Sequence, residues 1–288
     1  MTIFDEPKID CHNHVIDPLH FPYIENTRYR PSGQEIGTAL QFRAVMRAYG
    51  VKYALVVQPT SGYGTDNRCM LDALARGEGR LKGIGLVPND VSKARLAELK
   101  AQGVLGVTVN LSIEGVDYFS QADTLFNRLA DLDMFAQIQY QKDQLLGLLP
   151  LIGRTRTRLL FDHSGCPDVR AGLDQPGFQA LLRLADTGRA YVKLSGMSKY
   201  SDEPYPFEDT RPYLHTLLEA FGARHCMWAS DWPHLKAPER LDYGPLLLYA
   251  EALMPDPVIR HQVMWETPFQ LFGFEAAPIQ PSLHSDRL

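Results

Sequence analysis

The chain has 288 residues, of which 22% are charged and 45% hydrophobic, a composition that is usual for globular proteins and excludes a fibrous or disordered chain. Its net charge of −5 lacks the Lys/Arg surplus of a general nucleic-acid binder. No uncharged stretch is long and apolar enough to cross a bilayer, the acidic N-terminus predicts no secretory signal, and four dispersed cysteines predict reduced thiols in the cytoplasm.

Short β-rich runs alternate along the chain with longer runs of helical spacing. The predicted strands cover 8–15, 52–58, 81–87, 104–110, 135–140, 158–163, 190–196 and 226–231. The predicted helices cover 38–49, 66–76, 92–101, 120–131, 143–152, 175–187, 206–221 and 240–253. Thr38, Asp66 and Ser92 are predicted N-caps of their helices. Continuous apolar runs such as 53–57 are typical of parallel strands that are buried on both faces.

Eight strands, each followed by a helix, predict an α/β fold with a single (β/α)8 TIM barrel. A doubly wound open sheet shows the same alternation and is the competing interpretation. The long insert 16–37 after the first strand is expected to lie over the carboxyl-terminal mouth of the barrel, where loops form active sites. One domain is predicted over 1–288, with its core at 8–274, a C-terminal helix near 256–272 and a loose tail at 275–288.

The first strand ends in the sequence Asp10-Cys11-His12-Asn13-His14. Residues two apart in a strand face the same side, so His12 and His14 are expected to project together, with Asp10 one step deeper. Two imidazoles at a barrel mouth can bind a metal or polarise an oxygen atom, although an HxH pair is often two unrelated histidines. By the same alternation, Cys11 is expected to face the helices as a core residue.

Two more polar groups end predicted strands at the same rim. The sixth strand ends in Asp162-His163-Ser164-Gly165 and the eighth in Ala229-Ser230-Asp231-Trp232-Pro233-His234. Each has a structural alternative, since Asp162 could cap a turn and Asp231 could hold the loop before the proline. The coincidence of three such groups at one rim favours a shared site.

Together, 10–15, 162–165 and 229–234 resemble the amidohydrolase superfamily, and most closely its branch of lactonases that act on 2-pyrone-4,6-dicarboxylate and on sugar acids. The segments 192–196 and 265–273 are also similar to that branch, so the resemblance runs from residue 8 to 274. It implies that Asp231 is the general base that activates water. It also implies that His12, His14 and His163 surround the scissile carbonyl.

The resemblance also bears on metal binding. Binuclear members carry a bridging ligand on the fourth strand and a histidine on the fifth, but 106–110 and 137–140 offer neither here. The lactonase branch can work without metal, so no cofactor is favoured. The alternative is one divalent cation, Zn or Mn, held by His12, His14, His163 and Asp231.

Several other residues are expected near the mouth as substrate ligands, with turn or packing roles as their alternatives. Ser61 and Tyr63 follow the second strand, together with Asn67, and Asn110 ends the fourth. The resemblance implies a hydrogen bond from Tyr140 to the substrate. Ser195, Lys199 and Arg30 complete the set, whereas Lys193 is expected only to pack its stem along the strands.

The sequence thus predicts a hydrolase that opens a small lactone, expected to carry a carboxylate, by means of Asp-activated water and His polarisation of the carbonyl. A mononuclear-zinc decarboxylase of an aromatic or muconate-like acid could use the same four residues. A non-catalytic small-acid binding protein is a further alternative. The expected partner is the anionic lactone itself, with no nucleic acid and no membrane, and a homodimer is left open.

Overall fold

The computed structural model describes residues 2–275 and shows eight parallel strands in sequential order around a barrel. The strands are β1 (Lys8–Asn13), β2 (Val51–Val57), β3 (Leu81–Gly85), β4 (Val104–Asn110), β5 (Phe135–Gln139), β6 (Arg158–Phe161), β7 (Ala190–Leu194) and β8 (Cys226–Trp228). The ring closes through an isolated parallel bridge between Asn13 and Trp232 and through the His14 N–H, which donates to the Trp232 carbonyl at 2.8 Å. The predicted α/β barrel is therefore confirmed, and the open-sheet alternative is wrong.

Helices follow each strand and form the outer layer. They are α1 (Ala39–Ala48), α2 (Thr60–Tyr63), α3 (Arg68–Ala75), α4 (Lys93–Ala101), α5 (Leu111–Glu114), α6 (Val116–Ser120), α7 (Asp123–Asp131), α8 (Gln144–Arg154), α9 (Pro176–Leu184), α10 (Arg211–Phe221), α11 (Tyr243–Leu253), α12 (Pro257–His261) and α13 (Thr267–Leu271). A π-helical turn, Gln262–Glu266, joins the last two. Thr38 and Ser92 are N-caps as predicted, since their hydroxyls accept the Gln41 and Arg95 N–H groups. The third predicted N-cap, Asp66, is wrong by one residue, because α3 begins at Arg68 and its N-cap is Asn67.

Two apolar layers hold the barrel together. The larger joins the outward faces of the strands to the helices. The smaller fills the lower interior of the barrel, where Leu55, Phe135 and Met227 pack with Phe272 and Phe274 of the C-terminal segment. Because this plug seals the lower end, a substrate can approach only from the opposite end, where the carboxyl ends of the strands lie.

Several predicted elements are too long. The first, third, sixth, seventh and eighth strands end two or three residues before their predicted ends, and the predicted helix 120–131 is α7 together with the last residue of α6. The predicted C-terminal helix 256–272 is present as α12, the π turn and α13. The loose tail lies outside the described residues, apart from Glu275. No helix within 2–275 combines the length and apolarity that a membrane crossing requires.

Candidate active site

A cavity of about 480 Å³ opens at the carboxyl ends of the strands. All four predicted catalytic residues line it, and so do Ser61, Asn110 and Lys199. Its remaining walls are Val57, Gln58, Pro59, Thr60, Thr108, Ser112, Ile113, Gln139, Gln141, Ser198, Leu235, Lys236 and Pro238. The structure thus brings residues from loops far apart in sequence into one polar pocket.

Asp231 lies at the centre of the four predicted catalytic residues. Its Oδ1 atom is 3.6 Å from Nε2 of His12, 3.6 Å from Nε2 of His14 and 3.9 Å from Nε2 of His163. That oxygen is buried and makes no hydrogen bond within the described chain. A buried acceptor without a donor is costly, so the site is built to receive a donor or a cation at this point.

The aspartate and one histidine adopt left-handed backbone conformations, with φ of 61° at Asp231 and 49° at His163. Such angles are unfavourable for residues with a Cβ and often occur at functional sites. Gly196 (φ 72°) lets the next loop approach the His163 side chain, because a Cβ there would lie only 2.5 Å from the Cβ of His163 and 2.6 Å from its ring. The turns at the strand ends therefore aim these side chains into the cavity.

The neighbours of His14 fix its tautomer. Its Nδ1 lies 2.8 Å from the Val57 carbonyl, which can only accept, so Nδ1 carries a proton. In the neutral ring, Nε2 then presents a lone pair toward Asp231. His163 can adopt the opposite tautomer. Its Nδ1 lies 3.4 Å from the Ser195 hydroxyl, and when that hydroxyl donates to Nδ1, the ring proton is on Nε2.

Burial and nearby cations set the charge of Asp231. Burial alone raises the pKa of this carboxyl, but the Lys199 ammonium and the surrounding imidazoles outweigh that effect and hold the pKa well below its usual range. Lys199 donates to Oδ2 at 2.8 Å. Burial disfavours the charged form of Lys199, but the negative charge of Asp231 outweighs this effect and raises the pKa of Lys199 above its usual value. Asp231 is therefore an anion throughout the neutral range.

The two most buried histidines are neutral at the same pH. Burial lowers the pKa of His12 to about 4, opposed by the charge of Asp162. It lowers the pKa of His163 to about 3, opposed by Asp231. Neutral imidazoles can donate or accept hydrogen bonds, or ligate a metal.

A fully buried polar network lies beneath His12 and was not predicted from the sequence. The Lys193 ammonium is 2.9 Å from Asp162 Oδ1, 2.6 Å from Gln137 Oε1 and 3.2 Å from His12 Nδ1. Gln137 donates to the other Asp162 oxygen at 2.8 Å, and His12 Nδ1 is 3.1 Å from Asp162 Oδ1. This network orients the His12 ring, so Lys193 does more than pack its stem.

Asp10 does not lie beneath the two histidines as predicted. A register shift between β1 and β2 falls within Asp10–Asn13 and turns Asp10 outward, where it accepts from the Ser230 and Tyr243 hydroxyls. Cys11 consequently packs in the inner cluster with Ile9, not against the helices. Burial raises the pKa of Asp10 to about 6, and its role is to tie β1 to the segment after β8.

Four predicted substrate ligands do not line the cavity. Tyr63 accepts from the Asp17 N–H at 2.9 Å, and Tyr140 packs in the outer core. Ser195 is fully buried behind His163. The Arg30 guanidinium is exposed and donates to the Ile24 and Glu25 carbonyls. Asn67 likewise braces the end of β3, through its bonds to Leu86.

Other residues that line the cavity were not predicted from the sequence. The Asn110 side-chain amide donates from Nδ2 to Gln139 Oε1 at 3.0 Å and accepts at Oδ1 from the Ser112 hydroxyl at 2.7 Å, so these three form a bonded polar wall. The alternation of Gln137 and Gln139 with apolar residues in β5 is a signal that could have found this wall. Lys236 lies in an irregular loop, where no periodicity marks it.

The donor set fits a single divalent ion. His12, His14 and Asp231 offer ligand atoms within 4.8 Å of one another, and so do His12, Asp162 and His163. The lone pair on His14 Nε2 and the unpartnered Asp231 Oδ1 suit a cation between them. The lining residues of β4 and β5 are Thr108, Asn110 and Gln139, none of which supplies a bridging carboxylate or a histidine for a second ion.

Comparisons with known proteins find relatives that match nearly the whole chain. A 4-sulfomuconolactone hydrolase from Rhizobium radiobacter is 33% identical over 273 residues, which cover 92% of this chain and 89% of the relative. A 2-pyrone-4,6-dicarboxylate hydrolase from Comamonas testosteroni is 28% identical over 278 residues, which cover 92% of this chain and 89% of that relative. A crystal structure from Pseudomonas putida, assigned as a 2-pyrone-4,6-dicarboxylic acid hydrolase, superposes with a TM-score of 0.83 at 30% identity and covers 96% of this chain and 100% of that one. The amidohydrolase family model matches residues 9–274, and the chain therefore belongs to the amidohydrolase family.

Proposed function

We propose that this protein hydrolyses a small lactone by adding water to the ring carbonyl. The observation that carries the proposal is the unpartnered Asp231 Oδ1, which lies 3.6–3.9 Å from three imidazole nitrogens on the floor of the cavity. Relatives similar to the chain over nearly their whole length are named as hydrolases of 4-sulfomuconolactone and 2-pyrone-4,6-dicarboxylate. Both names support a lactone as the substrate.

The attacking water is expected between Asp231 and His14. Asp231 Oδ1 and the His14 Nε2 lone pair are two acceptors 3.6 Å apart, and a water molecule can donate one hydrogen atom to each. Its oxygen lone pair would then point into the cavity toward the substrate carbonyl. This arrangement orients the nucleophile before reaction.

Asp231 acts as the general base and His163 as a donor to the carbonyl oxygen. A carboxylate with a low pKa is a weak base while Lys199 is bound to it. As negative charge develops on the carbonyl oxygen, the Lys199 ammonium can turn toward that oxygen, which restores basicity to Asp231 and stabilises the oxyanion. The proton that Asp231 takes from water passes to the ring oxygen as the acyl–oxygen bond breaks. The products are a hydroxyl group and a carboxylic acid, and the acid then loses its remaining proton to solvent and becomes a carboxylate.

The same site could hold one metal ion through His12, His14, His163 and Asp231. A bound Zn²⁺ or Mn²⁺ would polarise the carbonyl and lower the pKa of the water. We favour hydrolysis without metal, because a lactone is already an activated acyl group and the site supplies its own cation in Lys199. The partner is then a small anionic lactone.

Hydrolysis in water enriched in ¹⁸O tests the reaction type. We expect a lactone screen with a pH indicator to find a substrate whose ring-opened product carries one ¹⁸O atom in its new carboxylate. Release of CO₂ from an unopened acid would instead support a decarboxylase. Binding of small acids without any product would support a non-catalytic protein, and either result would contradict the proposal.

A further inference from the structure

A second cavity of about 350 Å³ opens off the catalytic cavity, beneath the loop between β1 and α1. The two cavities share five lining residues, which are Thr60, Ser61, Ser112, Ile113 and Lys236. The side chamber is completed by Ile24, Asn26, Thr27, Arg28, Tyr29, Gly64 and Glu114. A ligand with its reacting group beside Asp231 could therefore extend along this shared wall into the side chamber.

Hydrogen bonds hold the chamber in shape. The Gly62 N–H donates to the Tyr29 carbonyl and to the Thr27 hydroxyl, both at 2.9 Å. The Tyr29 hydroxyl donates to Glu35 at 2.6 Å, and Arg28 donates to the Ile113 carbonyl at 2.8 Å. Because the loop is bonded to the segments after both β2 and β4, the chamber exists before any ligand enters.

Most cations near the mouth are already engaged. The ion pairs are Lys199 with Asp231, Lys142 with Asp168 and Arg28 with Glu114, and Arg30 is bonded to two carbonyls. These cations satisfy local acceptors before any substrate arrives. They are therefore poor candidates for the first recognition of an anionic substrate.

Lys236 is the exception. Its ammonium lies 4.5 Å from the centre of the Tyr29 ring, and within residues 2–275 no carboxylate comes within 4.0 Å of it. The nearby Glu35 is occupied by the Tyr29 hydroxyl and by the backbone N–H of Lys236 itself. The ring holds the ammonium at the junction of the two cavities, while its N–H donors stay available.

We propose that Lys236 binds an anionic group on the side arm of the substrate and that the side chamber holds the rest of that arm. This inference rests on the proposed lactone hydrolysis and specifies its substrate class, a lactone ring that bears one anionic arm. The many neutral amides and hydroxyls of the catalytic cavity then face the ring itself. Because one ammonium is available at the chamber, it suits an arm that carries one carboxylate or sulfonate better than an arm that carries two anionic groups.

Three matched lactones test the role of Lys236. They are a butenolide with a carboxymethyl arm, its methyl ester, and the same ring without an arm. In Lys236→Met, we expect kcat/KM for the acid to fall about tenfold or more, mainly through KM, because a charge-assisted hydrogen bond is lost. The ester and the bare ring should keep wild-type values, and Lys142→Met, which removes a cation outside both cavities, should leave all three unchanged.

The chamber is tested by arm length. Asn26 lines the side chamber but not the catalytic cavity, so Asn26→Trp should reduce kcat/KM for butenolides with longer carboxyalkyl arms and spare the bare ring. Equal losses for acid and ester in Lys236→Met, or no loss for either, would overturn the assignment of Lys236. An unchanged arm-length preference in Asn26→Trp would overturn the assignment of the chamber.

A binding measurement separates this inference from the proposed reaction. Calorimetry with the lactam analogue of the acid, in which the ring ester is replaced by an amide, reports recognition without turnover. Weaker binding to Lys236→Met than to the wild type supports the inference even if no lactone is hydrolysed. Equal binding contradicts it even if lactones are good substrates.

Discussion

Replacing Asp231 by asparagine tests the centre of the proposed mechanism. Asparagine keeps the size of the side chain and, among residues with a Cβ, is one of those that best tolerate the left-handed φ of 61° at this position. It cannot accept the proton from water, so we expect kcat/KM to fall by about 10²–10⁴, which is roughly 3–5 kcal/mol of transition-state stabilisation. The backbone should be undisturbed.

The cost in stability should be much smaller. The substitution removes an ion pair to Lys199, whose side chain is 26% exposed, and pairs of this kind contribute about 1–2 kcal/mol. In a domain of this size, that corresponds to a fall in Tm of about 2–3 °C. A large kinetic effect with a small thermal effect distinguishes a catalytic carboxylate from a structural one.

Kinetics on the best lactone and calorimetric melting of the same sample check both values. Asp168→Asn is the matched control, since Asp168 pairs with Lys142 at 2.8 Å on the same rim and lies outside the catalytic cavity. It should keep activity within about twofold. Retention of more than about a tenth of wild-type kcat/KM in Asp231→Asn would refute the role as general base.

Three further expectations follow from the site. Activity should survive prolonged treatment with a chelator, and the metal content of the same sample should be measured alongside the activity. Activity that decreases in proportion to the metal content and is restored by Zn²⁺ or Mn²⁺ would contradict this expectation. Burial lowers the pKa of His12 to about 4 and of His163 to about 3, below the unfolded value near 6.5, so these two groups destabilise the fold as pH drops from 6.5 to 4. The pKa of Asp10, raised to about 6, acts in the opposite direction, but it is one group against two, so Tm should still fall in this window. A Tm that rises would contradict a neutral state of the two rings in the fold. Lys193→Met should lower the free energy of unfolding by about 3–5 kcal/mol, because it leaves Asp162 buried without its ammonium partner. The double variant with Asp162→Leu should recover most of that loss. Urea unfolding of both variants measures the two values, and a double variant no more stable than Lys193→Met would contradict the expectation.

The order of the eight strands and the rim that carries the chemistry could be predicted from the sequence. Continuous apolar runs such as 53–57 mark strands that are buried on both faces, and polar residues directly after such runs lie at the carboxyl edge of a parallel sheet. This is why His12, His14, His163 and Asp231 could be placed together. Local composition is enough for that step, because the carboxyl ends of parallel strands all meet at one edge.

Which side each residue faces required the tertiary structure. Strict alternation holds only for a regular register, and the shift within Asp10–Asn13 reversed the predicted sides of Asp10 and Cys11. Tyr140 was misplaced for a related reason, since its position just past β5 does not decide whether it enters the cavity or the outer core.

The partners of charged groups were likewise decided only by the fold. Nothing near Lys193 in sequence indicates that its ammonium meets Gln137 of β5 and Asp162, which directly follows β6. Nothing near Lys236 indicates that Tyr29, two hundred residues earlier, holds it at the junction of two cavities. Local patterns determine which segments become strands and which ends they expose, whereas charge pairing and cavity shape depend on distances between segments, and only chain folding sets those distances.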